Sequence, residues 1–182
     1  MIGFRGSRSL SSSWSPLVAR VVAAAAPAPA RLLVGCAAGA DRLVRRAAGS
    51  RAEVWAVAGG RFGSGRAAFA RRSAAMVQAL AAGAGSSLIG FCSSPCPAGV
   101  VPASRWRSGM PPSGTWSSLA LAAGLGVQVV VFWCAACAAC RLPAWPGGRW
   151  LPAALGLAVE SGGWRWEPAR LRGQVAEQGA LW

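Results

Sequence analysis

The sequence predicts an α/β fold built on a parallel sheet of about five strands. Short apolar runs alternate with amphipathic or Ala-rich stretches, as in chains of repeated strand–helix units. A length of 182 residues is enough to bury a core without disulfide staples. The hydrophobic content of 54% excludes disorder, and with 24 Gly and 12 Pro it also excludes a coiled coil.

Capping and turn signals place the elements in order. Ser15-Pro16 begins the first helix, because Ser caps a helix and Pro suits its first position. Pro27 and Pro29 end that helix, and Asp41 lies in the first turn of the second, where the helix dipole favours an acid. The strands are predicted at residues 2–4, 31–34, 53–57, 87–91 and 127–133, and the helices at 15–26, 41–48, 66–82 and 115–123.

The expected strand order is 3-2-1-4-5, because parallel strands joined by helices need right-handed crossovers. Ligands of such sheets bind beyond the carboxyl ends of the strands, where the order reverses. That switch lies between strands one and four, beside residues 6–8 and a long Pro/Ser/Gly loop at 92–114. We expect a three-layer Rossmann-like domain over residues 1–140. A Trp- and Arg-rich C-terminal extension over 141–182 would cover a sheet edge or present an aromatic surface to bases or a partner.

The charge balance limits the chemistry. All 19 basic residues are Arg, against five acidic residues, so the net charge is +14. Without His the chain cannot form a Ser-His-Asp triad or a His metal site, and without Lys it cannot form a Schiff base or a Walker A loop. The excess of Arg favours anionic partners such as nucleotides, phosphates or nucleic acid, although GC-rich coding DNA would give a similar composition.

The charge-free stretch 108–140 is long enough to span a bilayer. The helix-stop signal at 124–126 and the β-branched run that follows favour a helix and a buried strand instead. An export signal is not expected, because Arg20 interrupts the apolar run near the N-terminus. We therefore expect a cytoplasmic protein that does not associate with membranes.

The six cysteines suit that compartment as free thiols. The spacing of Cys134, Cys137 and Cys140 is typical of iron–sulfur ligands. The residues between them include Ala and offer no polar support for a metal, and Cys also packs well in a core. We expect no metal and no required cofactor.

Three Gly-containing segments, at residues 6–8, 35–41 and 112–115, are predicted to lie at one edge of the sheet. Backbone N–H groups at a helix start bind anions, Ser and Thr hydroxyls add hydrogen bonds, and Arg forks bind phosphate. These three segments therefore predict an anion-binding site on the turns at 35–39 and 113–115. The candidate ligand-binding residues are Gly6, Ser7, Arg8, Gly35, Gly39, Arg72, Ser113, Gly114 and Thr115.

Four motifs occur in the order found in a known superfamily. Residues 6–8 read Gly-Ser-Arg, and residues 35–41 read Gly-Cys-Ala-Ala-Gly-Ala-Asp. Residues 65–76 keep the Gly, both Ala, the Arg and the Met of Gly-x-Ala-Ala-Gly-Pro-x-Arg-Asn-x-x-Met, and residues 113–115 read Ser-Gly-Thr. With these motifs the chain resembles the SLOG superfamily of Rossmann-like nucleotide-ligand-binding proteins. It is most similar to the small bacterial and phage group that carries Gly-Gly-Ala-Arg-Gly-Ala-Asp.

The chain departs from that pattern at several positions. Cys36 replaces a Gly, Ala38 an Arg, Ser73 an Asn, and Pro112 the first Gly of Gly-Ser-Gly-Thr. Pro112 removes one N–H from that turn. The resemblance implies a nucleotide-derived ligand bound by a sensor or binding module. We expect Arg8 and Arg72 to neutralise the charge of its phosphate, and the loop 92–114 to cover its base or ribose.

The superfamily leaves two alternatives open. It includes DNA-processing protein A, which binds single-stranded DNA, and the LOG phosphoribohydrolases, which act on nucleoside monophosphates. The hydrolases carry a Glu shortly after Gly-Thr, where this chain has Ser118. Asp41 is the only acid within the motifs and so the candidate catalytic residue, but its helix-dipole role is favoured and catalysis is not expected. Homo-oligomerisation is also left open.

Overall fold

The computed structural model describes residues 1–25, 30–106, 114–133, 142–153 and 162–169. The strands found in these residues are β1 (Ile2–Gly6), β2 (Leu32–Gly35), β3 (Ala52–Trp55), β4 (Ser87–Cys92), β5 (Gln128–Trp133), β6 (Gly148–Pro152) and β7 (Gly163–Pro168). The helices are α1 (Ser15–Ala25), α2 (Ala40–Ala48), α3 (Gly65–Ala81) and α4 (Gly114–Gly124). Two short 3₁₀ turns, Ser12–Trp14 and Gly49–Arg51, precede α1 and follow α2.

All seven strands form one sheet in the order β3-β2-β1-β4-β5-β7-β6. The first five are parallel and follow the predicted order, so the α/β prediction is confirmed. The predicted sheet of about five strands, all parallel, is wrong in its size and in its pairing, because the sheet has seven strands. The Trp-rich extension contributes β7, which pairs antiparallel with β5, and β6, which pairs antiparallel with β7. This pairing covers backbone groups that β5 would otherwise expose at the edge of the sheet.

Helices cover both faces of the sheet. Successive strand residues point to opposite faces, so Phe4 lies in the core beneath α1 and α2 while Leu33 lies in the core beneath α3 and α4. Both side chains are fully buried. Gly3 shares the second face, and a Cβ there would meet the side chains of Leu80 and Leu88. The absence of a side chain lets α3 approach β1 closely.

The charge-free stretch folds, in its described part, as a helix followed by a strand. α4 ends at Gly124, Gly126 adopts a positive φ of 76°, and β5 follows at once. Four residues of β5 are buried, in keeping with its apolar sequence. Within the described ranges, no helix combines the length and the apolarity needed to cross a bilayer.

Several predicted boundaries differ from the observed ones. The third strand ends at Trp55 rather than at residue 57, because the chain turns through two glycines immediately afterwards. The described part of the predicted loop, residues 93–106, contains no helix or strand. The end of the first predicted helix at residue 26 lies outside the described residues. So does the boundary between residues 140 and 141.

Candidate functional site

Arg5 is a charged residue in the middle of a buried strand. Its neighbour Phe4 packs beneath α1 and α2, so Arg5 points to the opposite layer, towards α3 and α4. Only 7% of Arg5 is exposed. Its register partner on β4 is Gly90, where a Cβ would meet the side chain of Leu119 on α4. The guanidinium therefore lies inside the fold near the carboxyl ends of β1 and β4, where the strand order reverses.

Arg5 belongs to a buried group with Asp41, Arg72 and Ser73, here called the arginine–aspartate cluster. Arg5 Nη2 donates to Ser73 Oγ at 2.6 Å, and Arg5 Nη1 lies 3.7 Å from Asp41 Oδ2. Arg72 Nη1 lies 3.5 Å from the same oxygen. Asp41 is 2% exposed and Arg72 is 1% exposed. Two buried cations thus share one carboxylate, which leaves one positive charge uncompensated within the cluster.

Several donors of this cluster are unused. Nε and Nη1 of Arg5 and Nε of Arg72 form no hydrogen bond with any residue that the structure describes. Leaving a buried donor unsatisfied costs about 1–3 kcal/mol. Burial lowers the pKa of Arg5 to about 10 despite the attraction of Asp41, and the group stays charged at pH 7. A buried guanidinium with free donors and excess charge suits an anionic partner.

The turn between β2 and α2 is closed by its own contacts. Asp41 Oδ2 accepts from the Ala37 backbone N–H at 3.2 Å. Arg45 Nη1 donates to the carbonyl oxygens of Gly35 at 2.6 Å and Ala37 at 3.2 Å. A Cβ at Gly35 would overlap Arg72 Nη1 and Asp41 Oδ2. Gly35 and Asp41 therefore serve the cluster, and phosphate binding at this turn stays a prediction.

Gly6, Ser7 and Gly39 pack three carboxyl-edge loops together. Gly39 has a φ of 63°, and a Cβ there would overlap the backbone of residues 7 and 8. The Ala40 N–H donates to the Ser7 carbonyl at 3.0 Å, and Ser7 Oγ accepts from the Ser93 N–H at 3.0 Å. A Cβ at Gly6 would meet the Cβ of Ala40. These small residues hold the loops after β1, β2 and β4 against one another.

Arg8 lies at the rim of the cluster. Its side chain is exposed, and its guanidinium carbon is 4.4 Å from the centroid of the Phe69 ring. Phe69 lies one turn before Ser73 on α3, and its carbonyl accepts from Ser73 Oγ at 2.6 Å. The charge of Arg8 acts on Arg5 and contributes to its lowered pKa. A second, solvent-accessible cation therefore stands beside the buried one.

The first turn of α4 opens next to Arg5. Gly114 is exposed and Thr115 is 8% exposed. Arg5 Nη2 lies 3.9 Å from the position that a Cβ of Gly114 would take. The first N–H groups of a helix lack partners within it and carry partial positive charge. Ser118 Oγ donates to the Gly114 carbonyl at 2.6 Å, and Ser113 lies outside the described residues.

A second basic and aromatic group follows β3. Trp55 and Phe62 stack with ring centroids 6.1 Å apart, and Arg61 lies over both rings at 5.3 and 5.4 Å. Arg71 Nε donates to the Phe62 carbonyl at 2.6 Å. Arg61 and Arg71 are exposed, and residues 54–159 contain no acidic residue. In this group, called the Trp55–Phe62 stack, Phe62 is 8% exposed and Trp55 is half-buried, and Trp55 Nε1 donates to Glu53 Oε1 at 3.0 Å.

Three tryptophans in the described part of the extension pack against one another. Trp145, Trp150 and Trp166 contact one another with ring centroids 5.1 to 5.4 Å apart. Trp116 of α4 joins them, and it contacts Trp133 of β5 at 5.4 Å. Trp145 and Trp166 are 4% and 5% exposed. In the described part of the extension, these rings cover α4 and the β5 edge.

The topology brings most of the predicted residues to one carboxyl edge. Arg72 is there too, but it is buried against Asp41 rather than open to solvent. Sequence reasoning missed Arg5 and Ser73 as members of the site. The signal for Arg5 was present: it is a charge in the otherwise uncharged strand Ile2–Gly6. For Ser73 the only signal is its place at the Asn position of the motif that residues 65–76 resemble.

No family model matches the chain, and no curated protein or solved structure matches it either. Across the described ranges, no three His, Cys, Asp or Glu side chains come together in a way that could hold a metal ion. The predicted cluster of Cys134, Cys137 and Cys140 lies outside those ranges. The geometry at the carboxyl edge therefore carries the functional argument.

Proposed function

We propose that the chain binds a nucleotide or a nucleotide-derived ligand at the carboxyl edge of β1 and β4, as a sensor or binding module. One observation carries the proposal: the buried Arg5 has two donors without a hydrogen-bond partner in the described part of the chain and lies beside the first turn of α4. This edge is where ligands of doubly wound sheets bind. The resemblance of the motifs to the SLOG superfamily supports a nucleotide as the ligand.

The ligand phosphate would lie on the first N–H groups of α4 and accept from Arg5. Charge-assisted hydrogen bonds to a guanidinium are worth about 1.5–3 kcal/mol each. Arg8, exposed at the rim, would add a second positive charge. Arg72 is 1% exposed, so in this proposal it acts on the phosphate through Asp41 rather than by direct contact. The side of the ligand away from the phosphate would face the loop after Cys92.

Calorimetric and thermal-shift titration with AMP, ADP-ribose, NAD, cyclic nucleotides and a short single-stranded DNA tests the proposal. A ligand at a hundred times its dissociation constant stabilises the protein by about 2.7 kcal/mol. Gly114→Ala places a methyl group over Arg5 in ordinary van der Waals contact, so it should fold and bind the ligand at least about tenfold more weakly. Gly59→Ala is the matched control, since nothing lies near that position.

Two outcomes would contradict the proposal. If no nucleotide stabilises the protein, nucleotides are not its ligands. A nucleotide that binds Gly114→Ala as tightly as the wild type would place the ligand elsewhere. Hydrolysis is not part of the proposal, because Asp41 is buried between two arginines and Ser118 occupies the position of the hydrolase Glu.

The Trp55–Phe62 stack favours a second candidate, which is single-stranded nucleic acid. Aromatic rings stack on bases, and exposed arginines contact phosphates. Such binding should weaken steeply as salt rises, because it releases counterions. Arg61→Ala should then reduce the slope of log affinity against log salt by about 1. A DNA affinity that is unchanged by Arg61→Ala and by salt would reject this candidate.

A further inference from the structure

The carboxylate of Asp41 is unequally shared within the arginine–aspartate cluster. Its Oδ2 atom lies 3.2 Å from the Ala37 nitrogen and 3.5 Å from Arg72 Nη1, and both contacts are hydrogen bonds. Arg5 Nη1 is 3.7 Å away and forms none. Asp41 thus attracts the charge of Arg5 without satisfying its donors. Nε and Nη1 of Arg5 therefore stay buried without a hydrogen-bond acceptor in the described part of the chain.

We infer that Asp41 is a resident counter-anion, which offsets the charge of Arg5 when no ligand is bound and competes with the anionic group of a ligand for it. The inference rests on the proposed function only in placing an anion beside Arg5. In this role Asp41 is a specificity-determining residue that reduces affinity for anions.

The charges of the cluster predict the direction in which Asp41 changes the affinity for anions. Arg5 and Arg72 together contribute two positive charges and Asp41 one negative charge, all less than one-tenth exposed. Opposite charges at such separations interact strongly when water is excluded. Asp41→Asn raises the net charge by one while keeping the shape of the side chain. The amide oxygen of Asn can still accept from the Ala37 N–H, so the turn keeps its hydrogen bond.

The test uses inorganic sulfate and inorganic phosphate as probes, titrated by calorimetry at constant ionic strength. Asp41→Asn should bind both ions at least about tenfold more tightly than the wild type, a change of 1.4 kcal/mol. Arg5→Met should bind neither ion. Glu53→Gln is the matched control, because Glu53 is an exposed acid paired with Arg31, and it should leave the affinities unchanged. Equal or weaker binding by Asp41→Asn overturns the inference.

Arg72→Met provides a second test of the inference if Asp41→Asn fails to fold. It leaves Asp41 to Arg5 alone, so the cluster becomes neutral and sulfate should bind about tenfold more weakly than to the wild type. Unchanged sulfate binding by Arg72→Met overturns the inference. Titration with nucleotides distinguishes the proposed function from the inference that Asp41 is a counter-anion. If none binds but sulfate follows this pattern, the proposed function fails and the counter-anion stands. If nucleotides bind wild type and Asp41→Asn equally, only the counter-anion fails.

Discussion

Arg5→Met should stabilise the protein that carries no ligand. The substitution removes a buried charge and two donors without partners in the described structure, each costing about 1–3 kcal/mol. It also removes one charge-assisted bond to Ser73, worth about 1.5–3 kcal/mol. Asp41 keeps Arg72 and the Ala37 N–H as partners. We expect the free energy of unfolding to rise by about 1–2 kcal/mol, because the cost of the two unsatisfied donors exceeds the contribution of the bond to Ser73.

Urea unfolding followed by tryptophan fluorescence measures this change. For a chain of this size the gain corresponds to a Tm higher by about 2–8 °C. Asp41→Asn should do the opposite and lower the free energy of unfolding by about 3–5 kcal/mol, because it leaves two buried guanidinium groups uncompensated. Arg31→Met, at an exposed ion pair, should change it by less than about 1 kcal/mol.

A loss of more than about 2 kcal/mol in Arg5→Met would refute the reasoning. Arg5 would then be a structural residue whose donors are satisfied in solution, and its place beside α4 would carry no functional meaning. A gain in stability together with a loss of anion binding would mark Arg5 as a residue kept for function at the expense of stability.

Three further predictions concern other parts of the fold. Gly35→Ala should lower the free energy of unfolding by about 1–3 kcal/mol in the same urea assay, because its methyl group overlaps Arg72. Trp145→Ala should lower it by about 3–5 kcal/mol, since it deletes a buried ring and the bond from Nε1 to the Val100 carbonyl; a smaller loss would show that the extension is loosely packed. Burial raises the pKa of Cys96 to about 11, so peptide mass spectrometry should find its alkylation at pH 8 about a hundredfold slower than in urea-unfolded protein. The native rate should rise about tenfold per pH unit up to pH 11, and a native rate equal to the unfolded one would contradict the burial of this thiol.

The parallel part of the sheet was predictable because local signals agree with one another. Apolar runs end at small residues, helices begin at capping residues, and right-handed crossovers then leave few possible orders. The antiparallel strands were not predicted, although residues 163–168 alternate aromatic and charged side chains. This alternation is typical of a half-buried strand. Nothing in the sequence says which sheet edge such a strand joins.

The position of the site could be predicted from the sequence, but its side-chain contacts could not. The order of the strands is enough to bring the Gly-containing segments to one edge. The hydrogen bond between Arg5 and Ser73 joins residues 68 positions apart, and Asp41 reaches both arginines from a third element. Such contacts depend on how closely α3 approaches the sheet, which no local spacing records. The sequence therefore predicts an anion-binding edge but not the buried charge that distinguishes it.

The late pairing of β5 has a consequence for biosynthesis. β5 is the sequence Gln-Val-Val-Val-Phe-Trp, apolar and β-branched, and it is complete when Trp133 leaves the ribosome. Its partner β7 begins at Gly163, about 30 residues later, and synthesis of that stretch takes about 2–6 s. During this interval the nascent chain carries an aggregation-prone edge with no strand of its own to cover it. A stop codon between the two strands would release the chain in that state, because the extension covers the β5 edge only after its own synthesis.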